Sequence, residues 1–227
     1  ILVVFSLLGI ISLRFYIFYM IIAAVLGTFL VGFTSSQSSI ARRMIIIAIL
    51  GLGLTYLGVI RNATANFDRF GSLEKIQRSR YGGSARTGSG FGEDIDVSTT
   101  GGAISAIPVG LVFLYFAPFP WQLANLRQSI TLPDIILWYA AIPFLITGLL
   151  YSIRSKLRST LGIMIFSIML SLSYSLFQGN VGTAYRQRVQ IQVFLFVFVA
   201  VGWTLFMERR ENKKALLNAR RNRIDEK

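Results

Sequence analysis

The chain contains no cysteine and no histidine. Without cysteine there are no disulfides, thiolate metal sites or cysteine nucleophiles. Without histidine there is no imidazole base, haem ligand or imidazole ligand for a chlorophyll. Acidic residues are also scarce, ten against twenty-three Lys and Arg. None of the Asp, Glu or Lys residues falls in the middle of a clear apolar span, which argues against a proton- or ion-coupled transporter. Any chemistry must therefore rest on carboxylates outside the spans and on Arg, Lys, Tyr, Ser and Thr. No cofactor is expected, and no metal site is assigned.

What the chain has in quantity is apolar length. Of its 227 residues, 54% are hydrophobic, and the mean hydropathy is +0.61. These residues come in long blocks, and about 20 helical residues cross a hydrocarbon core of roughly 30 Å. Seven blocks stand out: 1–13, 15–33, 44–60, 103–119, 136–153, 160–177 and 191–207. Joining 1–33 into a single helix would give roughly 50 Å, too long for a crossing, so a break at Arg14 is preferred. The expected fold is all-α, a polytopic integral membrane protein of about six to seven transmembrane helices. Four regions follow: amino-terminal spans over 1–60, a long polar loop over 61–102, carboxy-terminal spans over 103–207, and a basic tail over 208–227. Ile1 lies inside an apolar run with no Met or basic segment before it, so no signal peptide is read. The first block looks like the end of a cut helix, and the chain is expected to start partway through a longer protein.

The formal net charge is +13. Because the charges flank apolar spans, they are read as membrane topology rather than as a nucleic-acid surface, and no nucleic-acid partner is expected. If every span from 15 onward crosses, eighteen Lys and Arg fall on one side and five on the other. On the positive-inside rule the carboxy-terminal tail and the 61–102 loop are then cytoplasmic, and the 178–190 stretch faces outward. That count requires 103–119 to cross fully. A re-entrant path, suggested by Pro108 and Pro118, would move the polar loop to the outer side.

Three polar stretches carry candidate chemistry. In 61–102, Phe67, Phe70, Leu73 and Ile76 recur every three residues among charges, as in an amphipathic helix lying on the bilayer surface or, equally, a plain connecting helix. The Gly-rich run that follows lacks a nucleotide P-loop pattern and reads first as a mobile linker, with a loop whose backbone N–H groups cradle a phosphate as the alternative. Its acids Glu93, Asp94 and Asp96 either take a divalent cation, pair with arginines or are simply solvated. The second stretch, "APFPWQ" (117–122), ends a span. Pro118 and Pro120 prevent a regular helix there, and Trp121 suits the water–lipid interface. Arg127, Pro133 and Asp134 follow, with Pro133 placed to start the next span. The third stretch, "GNVGTAYRQR" (179–188), is a polar break between apolar runs. Gly179 and Gly182 permit tight turning. Arg186 and Arg188 offer planar donor forks suited to phosphate or pyrophosphate, and Tyr185 can stack on a sugar.

The pair "PFPWQ" and "NVGTAYRQR", about 60 residues apart and followed by a last span and a basic tail, resembles bacterial polytopic proteins of cell-surface polysaccharide assembly. These are the O-antigen polymerase and ligase-like group, and the likeness covers the last 110 to 130 residues. The resemblance implies handling of a polyprenyl-pyrophosphate-linked glycan at the outer face, with Arg186, Arg188 and Arg127 contacting the pyrophosphate. Such proteins usually have ten or more spans and a large outer loop, whereas the longest loop here counts as cytoplasmic. A glycosyl transfer would also need a base, and Asp134 is the outer-face carboxylate that the topology supplies. The alternative is a non-catalytic structural or accessory subunit, its aromatic-rich spans packing against lipid or other membrane subunits. Ser167, Ser171, Ser173, Tyr174 and Ser175 give the 160–177 helix a polar, small-residue character suited to close helix packing in either case.

Overall fold

The computed structural model describes residues 15–31, 72–84, 89–122 and 131–225. Among them the regular elements are helices: α1 (Phe15–Val31), α2 (Leu73–Ser84), α3 (Thr100–Phe116), a short 3-10 turn (Pro120–Gln122), α4 (Leu132–Ser155), α5 (Leu157–Phe177) and α6 (Val181–Asp225). A single antiparallel bridge, Gly90 to Asn180, is added. The expected spans 1–13 and 44–60 lie outside the described residues, as do Phe67, Phe70 and Arg127. Among the described residues three helical stretches are long and apolar enough to cross a membrane: Leu132–Ser155, Leu157–Phe177 and Val181–Ala219. Over the described residues the chain is thus a helical membrane protein, with α1 and α3 as shorter apolar helices.

Contacts divide the chain into two compact units, one of residues 1–119 and 161–189, the other of 120–160 and 190–227. In the first, the serine stripe of α5 sets the packing. Ser167, Ser171 and Ser175 repeat at a spacing of four and are all buried, so a neighbouring backbone can approach closely. On α3, Gly110 rests directly on Ser175, where an added Cβ would collide with the backbone carbonyl. Further along, the Tyr115 hydroxyl meets Ser171 Oγ, which itself donates back to Ser167 O at 2.6 Å. α1 lies antiparallel to α5: Tyr16 bonds to Tyr174 through their hydroxyls at 3.3 Å, and Gly27 abuts Ile165.

The path of α3 bears on the expected full crossing. Its start is set by an Asx turn, Ser98 N donating to Asp96 Oδ1, and by Thr99, whose Oγ1 accepts from Gly102 N at 3.1 Å as an N-cap. Near this end Ala106 joins Ile76 and Val97 in a core flanked by Leu73, Leu176 and Phe177. Toward the other end Tyr115 meets Ser171, and Ala117 O accepts from Arg188. From Ala106 to Tyr115 the contacts on α5 advance from Phe177 to Ser171, about 9 Å at 1.5 Å per residue. Over this length α3 follows the end of α5 and the beginning of α6, and it is not among the three helices long enough to cross, so the full crossing expected of 103–119 is not shown.

Two other expectations change. The amphipathic helix begins at Leu73, and its apolar residues Leu73 and Ile76 pack into the protein core with Val97 and Ala106 rather than on lipid. The Gly-rich segment, over the part described, is a packed element: Phe91 is buried, Val97 is fully buried, and Phe91 stacks on Phe113 with ring centroids 4.2 Å apart.

The second unit pairs α4 with the length of α6 after residue 190. Gly148 and Gly202 face each other's helices so closely that a Cβ on either would strike a carbonyl oxygen, of Phe198 or Phe144 respectively. Aromatic rings close the seam on either side, Trp138 edge-on to Phe196 and Phe144 edge-on to Trp203. Pro133 sits in the first turn of α4 as expected, and Pro143 lies inside the helix without ending it. Outward-facing Ile136, Leu137, Leu150, Val193 and Phe196 suit contact with membrane lipid. α6 continues past the apolar run to Asp225, so the charged tail is a helical extension, exposed from Glu208 to Ala219.

A substitution pair tests the close packing of α3. Gly110→Ala drives a methyl into the Ser175 carbonyl and should cost about 1–3 kcal/mol, because backbone cannot retreat as a side chain can. Gly101→Ala meets open space and should stay within about 1 kcal/mol of the parent. Thermal unfolding in mild detergent, followed by circular dichroism, reads the difference; equal effects would contradict the contact.

Candidate functional site

The polar break at 178–190 is shorter than its sequence suggests. α6 starts at Val181, and only Gln178, Gly179 and Asn180 lie between it and α5. Asn180 is the cap: its Oδ1 accepts from Thr183 N at 3.1 Å and its carbonyl accepts from Ala184 N at 3.0 Å. Its Nδ2 donates to Ser89 Oγ, while Phe91 N donates to Gly179 O and Val181 N to Ser89 O, both at 3.0 Å. These bonds seat the 89–91 segment on the turn. Gly179 is required by crowding, since a Cβ there would stand 3.1 Å from Arg80 O. Gly182 lies in the first turn of α6 and makes no turn of its own.

The two arginines of the motif part company. Arg186 is exposed, and its Nε donates to Gly182 O at 3.1 Å. Arg188 is fully buried, and its Nη1 donates to the carbonyl oxygens of Tyr115 and Ala117, at 3.1 Å each. The cause lies in how α3 ends. Ala117 is extended, a cis peptide bond joins it to Pro118, and neither Pro118 nor Pro120 has an N–H to offer. The last carbonyls of α3 lack donors, and a cation at the negative end of the helix dipole satisfies them. The same guanidinium sits 4.8 Å over the ring of the half-buried Tyr185. The expected pairing of Arg186 with Arg188 on one ligand is thus corrected: Arg188 is a structural lock, and Tyr185 carries that arginine on its face. The "APFPWQ" corner meets "YRQR" at Ala117, through Arg188.

No family model, curated protein or solved structure matches the chain. Its chemistry is therefore read from geometry.

That geometry adds an arginine the sequence reading passed over. Arg80 is 4% exposed, and its Nη1 donates to Ser175 O at 3.3 Å and Leu176 O at 3.0 Å. It does for the carboxy terminus of α5 what Arg188 does for α3. Its guanidinium lies 5.8 Å from the centroid of Phe91, and burial lowers its pKa from the ordinary guanidinium value. The legible signal was its register: positions 73, 76 and 80 share one helical face, so a cation stood in an apolar stripe. Of the acids, Glu93 and Asp94 are exposed. Asp96 is engaged by the side chain and then the backbone N–H of Ser98, which together hold its carboxyl below the usual range. No three acids converge as a metal site among the described residues, so the divalent-cation reading of this cluster has no support.

The two arginines of the motif should respond differently to substitution. Arg188→Met leaves two helix-end carbonyls without a donor and should lose about 2 kcal/mol or more, since hydrogen bonds to charged groups are individually worth about 1.5–3 kcal/mol. Arg186→Met should change stability by no more than about 0.5 kcal/mol, as exposed sites do. Chemical or thermal unfolding of the detergent-solubilised chain checks both.

Proposed function

We propose that the chain is a multi-pass protein of the bacterial inner membrane that binds a polyprenyl-pyrophosphate-linked glycan at the face formed by the 89–99 segment and the start of α6. One observation supports this reading above others: the Gly90–Asn180 bridge seats the acidic segment beside the turn that leads to Arg186. A glycosyl transfer on such a substrate needs a cation to neutralise the leaving pyrophosphate and a carboxylate to take the proton of the attacking hydroxyl. By sequence Glu93 and Asp94 fell on the opposite side of the membrane from Arg186, which left Asp134 as the outer-face carboxylate. With α3 following the end of α5 and the beginning of α6, exposed Arg186 and exposed Glu93 and Asp94 belong to the same side.

The same geometry alters the charge count. Moving the 61–102 stretch across, with Arg42 and Arg43 then falling on the tail side and Arg14 on the other, changes the division of Lys and Arg from eighteen against five to thirteen against ten. The tail side remains the more basic, so the tail is assigned to the cytoplasm and the 89–99 segment to the outer face. A second reading, an accessory subunit, is favoured by the exposed basic extension of α6 beyond Glu208, a rod suited to docking on another membrane subunit. Stoichiometric co-purification with a partner in mild detergent would support it.

Because the chain has no cysteine, single-cysteine variants report topology directly. Asp94→Cys and Gly182→Cys should both react with a membrane-impermeant maleimide in intact cells, and Asn212→Cys only after permeabilisation. Opposite sidedness of the first two would break the shared face. For activity, Arg186→Gln and the double change Glu93→Gln with Asp94→Asn should each lower surface polymer on the order of a hundredfold, as loss of a charge-stabilising or proton-accepting group does. Unchanged polymer in both would remove the glycan reading.

A further inference from the structure

We propose that Arg80 is the floor of a binding site for a phosphate-type oxyanion, one oxygen of which bonds to its Nη2. The inference does not rest on the glycan reading and stands whether or not the chain transfers sugars.

Its basis is a count of donors. Nη1 of Arg80 is committed to the carbonyl oxygens of Ser175 and Leu176, whereas Nη2 is buried and has no hydrogen-bond partner among the described residues. Buried polar groups are almost always satisfied, so a charged donor left over calls for a partner that comes and goes. Both existing acceptors are neutral carbonyls, and the guanidinium charge is permanent. An anion is the partner that matches the charge as well as the donor.

The surroundings leave room for it. Nη2 faces Gly92, where an added Cβ would stand only 3.2 Å away, and Gly92 has φ +60°, a conformation that favours glycine. A side chain at 92 would fill the space beside the nitrogen. The adjoining cleft is bordered by Gln77, Tyr81, Phe91 and Glu93 and holds about 10 Å³, enough for a single oxygen-sized group. One oxygen therefore enters, and the rest of the ligand lies in the open mouth. Gln77 accepts from Val97 N through Oε1, which leaves its amide NH2 as a second donor at the rim. A phosphate group presents several oxygens to such a set. Glu93 is the opposing feature, an exposed carboxylate on the same cleft that repels an incoming anion. A phospholipid headgroup and a soluble phosphate or pyrophosphate share the required chemistry.

The test uses the purified chain in nanodiscs of phosphatidylcholine alone, titrated with pyrophosphate by calorimetry. The wild type should bind, and Arg80→Gln should bind at least about tenfold more weakly, the loss of one charged hydrogen bond. Glu93→Gln should bind roughly threefold or more tighter, and Asp94→Asn, which removes the same charge away from the cleft, should change affinity far less. That second comparison decides the matter even if Arg80→Gln fails to fold, because both acids are exposed. Adding phosphatidic acid to the nanodiscs separates the sources: competition with pyrophosphate assigns the site to a lipid headgroup, and unchanged affinity assigns it to a soluble phosphate. Absence of binding by wild type and Glu93→Gln alike, or equal affinities for Glu93→Gln and Asp94→Asn, would overturn the proposal.

Discussion

A helix that ends away from water exposes its last carbonyl oxygens with nothing to accept from, and each unsatisfied group costs several kcal/mol in an apolar setting. Two helices of this chain meet that constraint in the same way. α5 ends against Arg80 and α3 ends against Arg188, each guanidinium giving one nitrogen to two carbonyls. Much else follows from these contacts. Arg80 ties α2 to the end of α5, the bridge at Gly90 ties the acidic segment to the turn, and Arg188 fixes where α3 stops. A cation is the effective cap here because it also lies at the negative pole of the helix it closes. Arginine suits the task better than lysine, since its planar fork reaches two acceptors without reorienting.

Local signals in the sequence were reliable where the partner is local. The small, polar residues of α5 announced close helix packing, and Gly110 supplies the backbone that uses it. Long apolar blocks identified α4, α5 and most of α6 because their length alone decides the matter. The failures share a cause. Whether 103–119 crosses depends on what its last carbonyls find, and the donor comes from Arg188, 71 residues further on. A count of basic residues treats such an arginine as a marker of sidedness, although it is buried in the protein and reports nothing about the adjoining water. The "mobile" glycine segment was misread for the same reason: Phe91 and Val97 are its anchors, and their partners are distant in sequence.

Separating the arginines by burial sharpens the functional question. The motif offered two equivalent cations, and geometry separates them into the buried cap Arg188 and the exposed Arg186, while Arg80 is a second buried cap that the motif did not include. The same sorting applies to the acids, since Asp96 holds a turn while Glu93 and Asp94 remain on the surface. What is left over after these structural duties is a smaller set of exposed charges than the sequence offered.

Arg80 is the case in which structural and binding duties need not compete. A flexible arginine loses about 2 kcal/mol of rotamer freedom when a ligand immobilises it. Here that freedom is already lost, because Nη1 is held by Ser175 and Leu176 and the guanidinium plane is set over Phe91. Fixing one nitrogen of a rigid plane fixes the other, so Nη2 is placed before any ligand arrives. Occupation of Nη2 would in turn bear on the end of α5 and on the turn into α6, since the same side chain closes that helix. Binding at the cleft and order at the helix end are therefore linked through one residue, with no intervening network required.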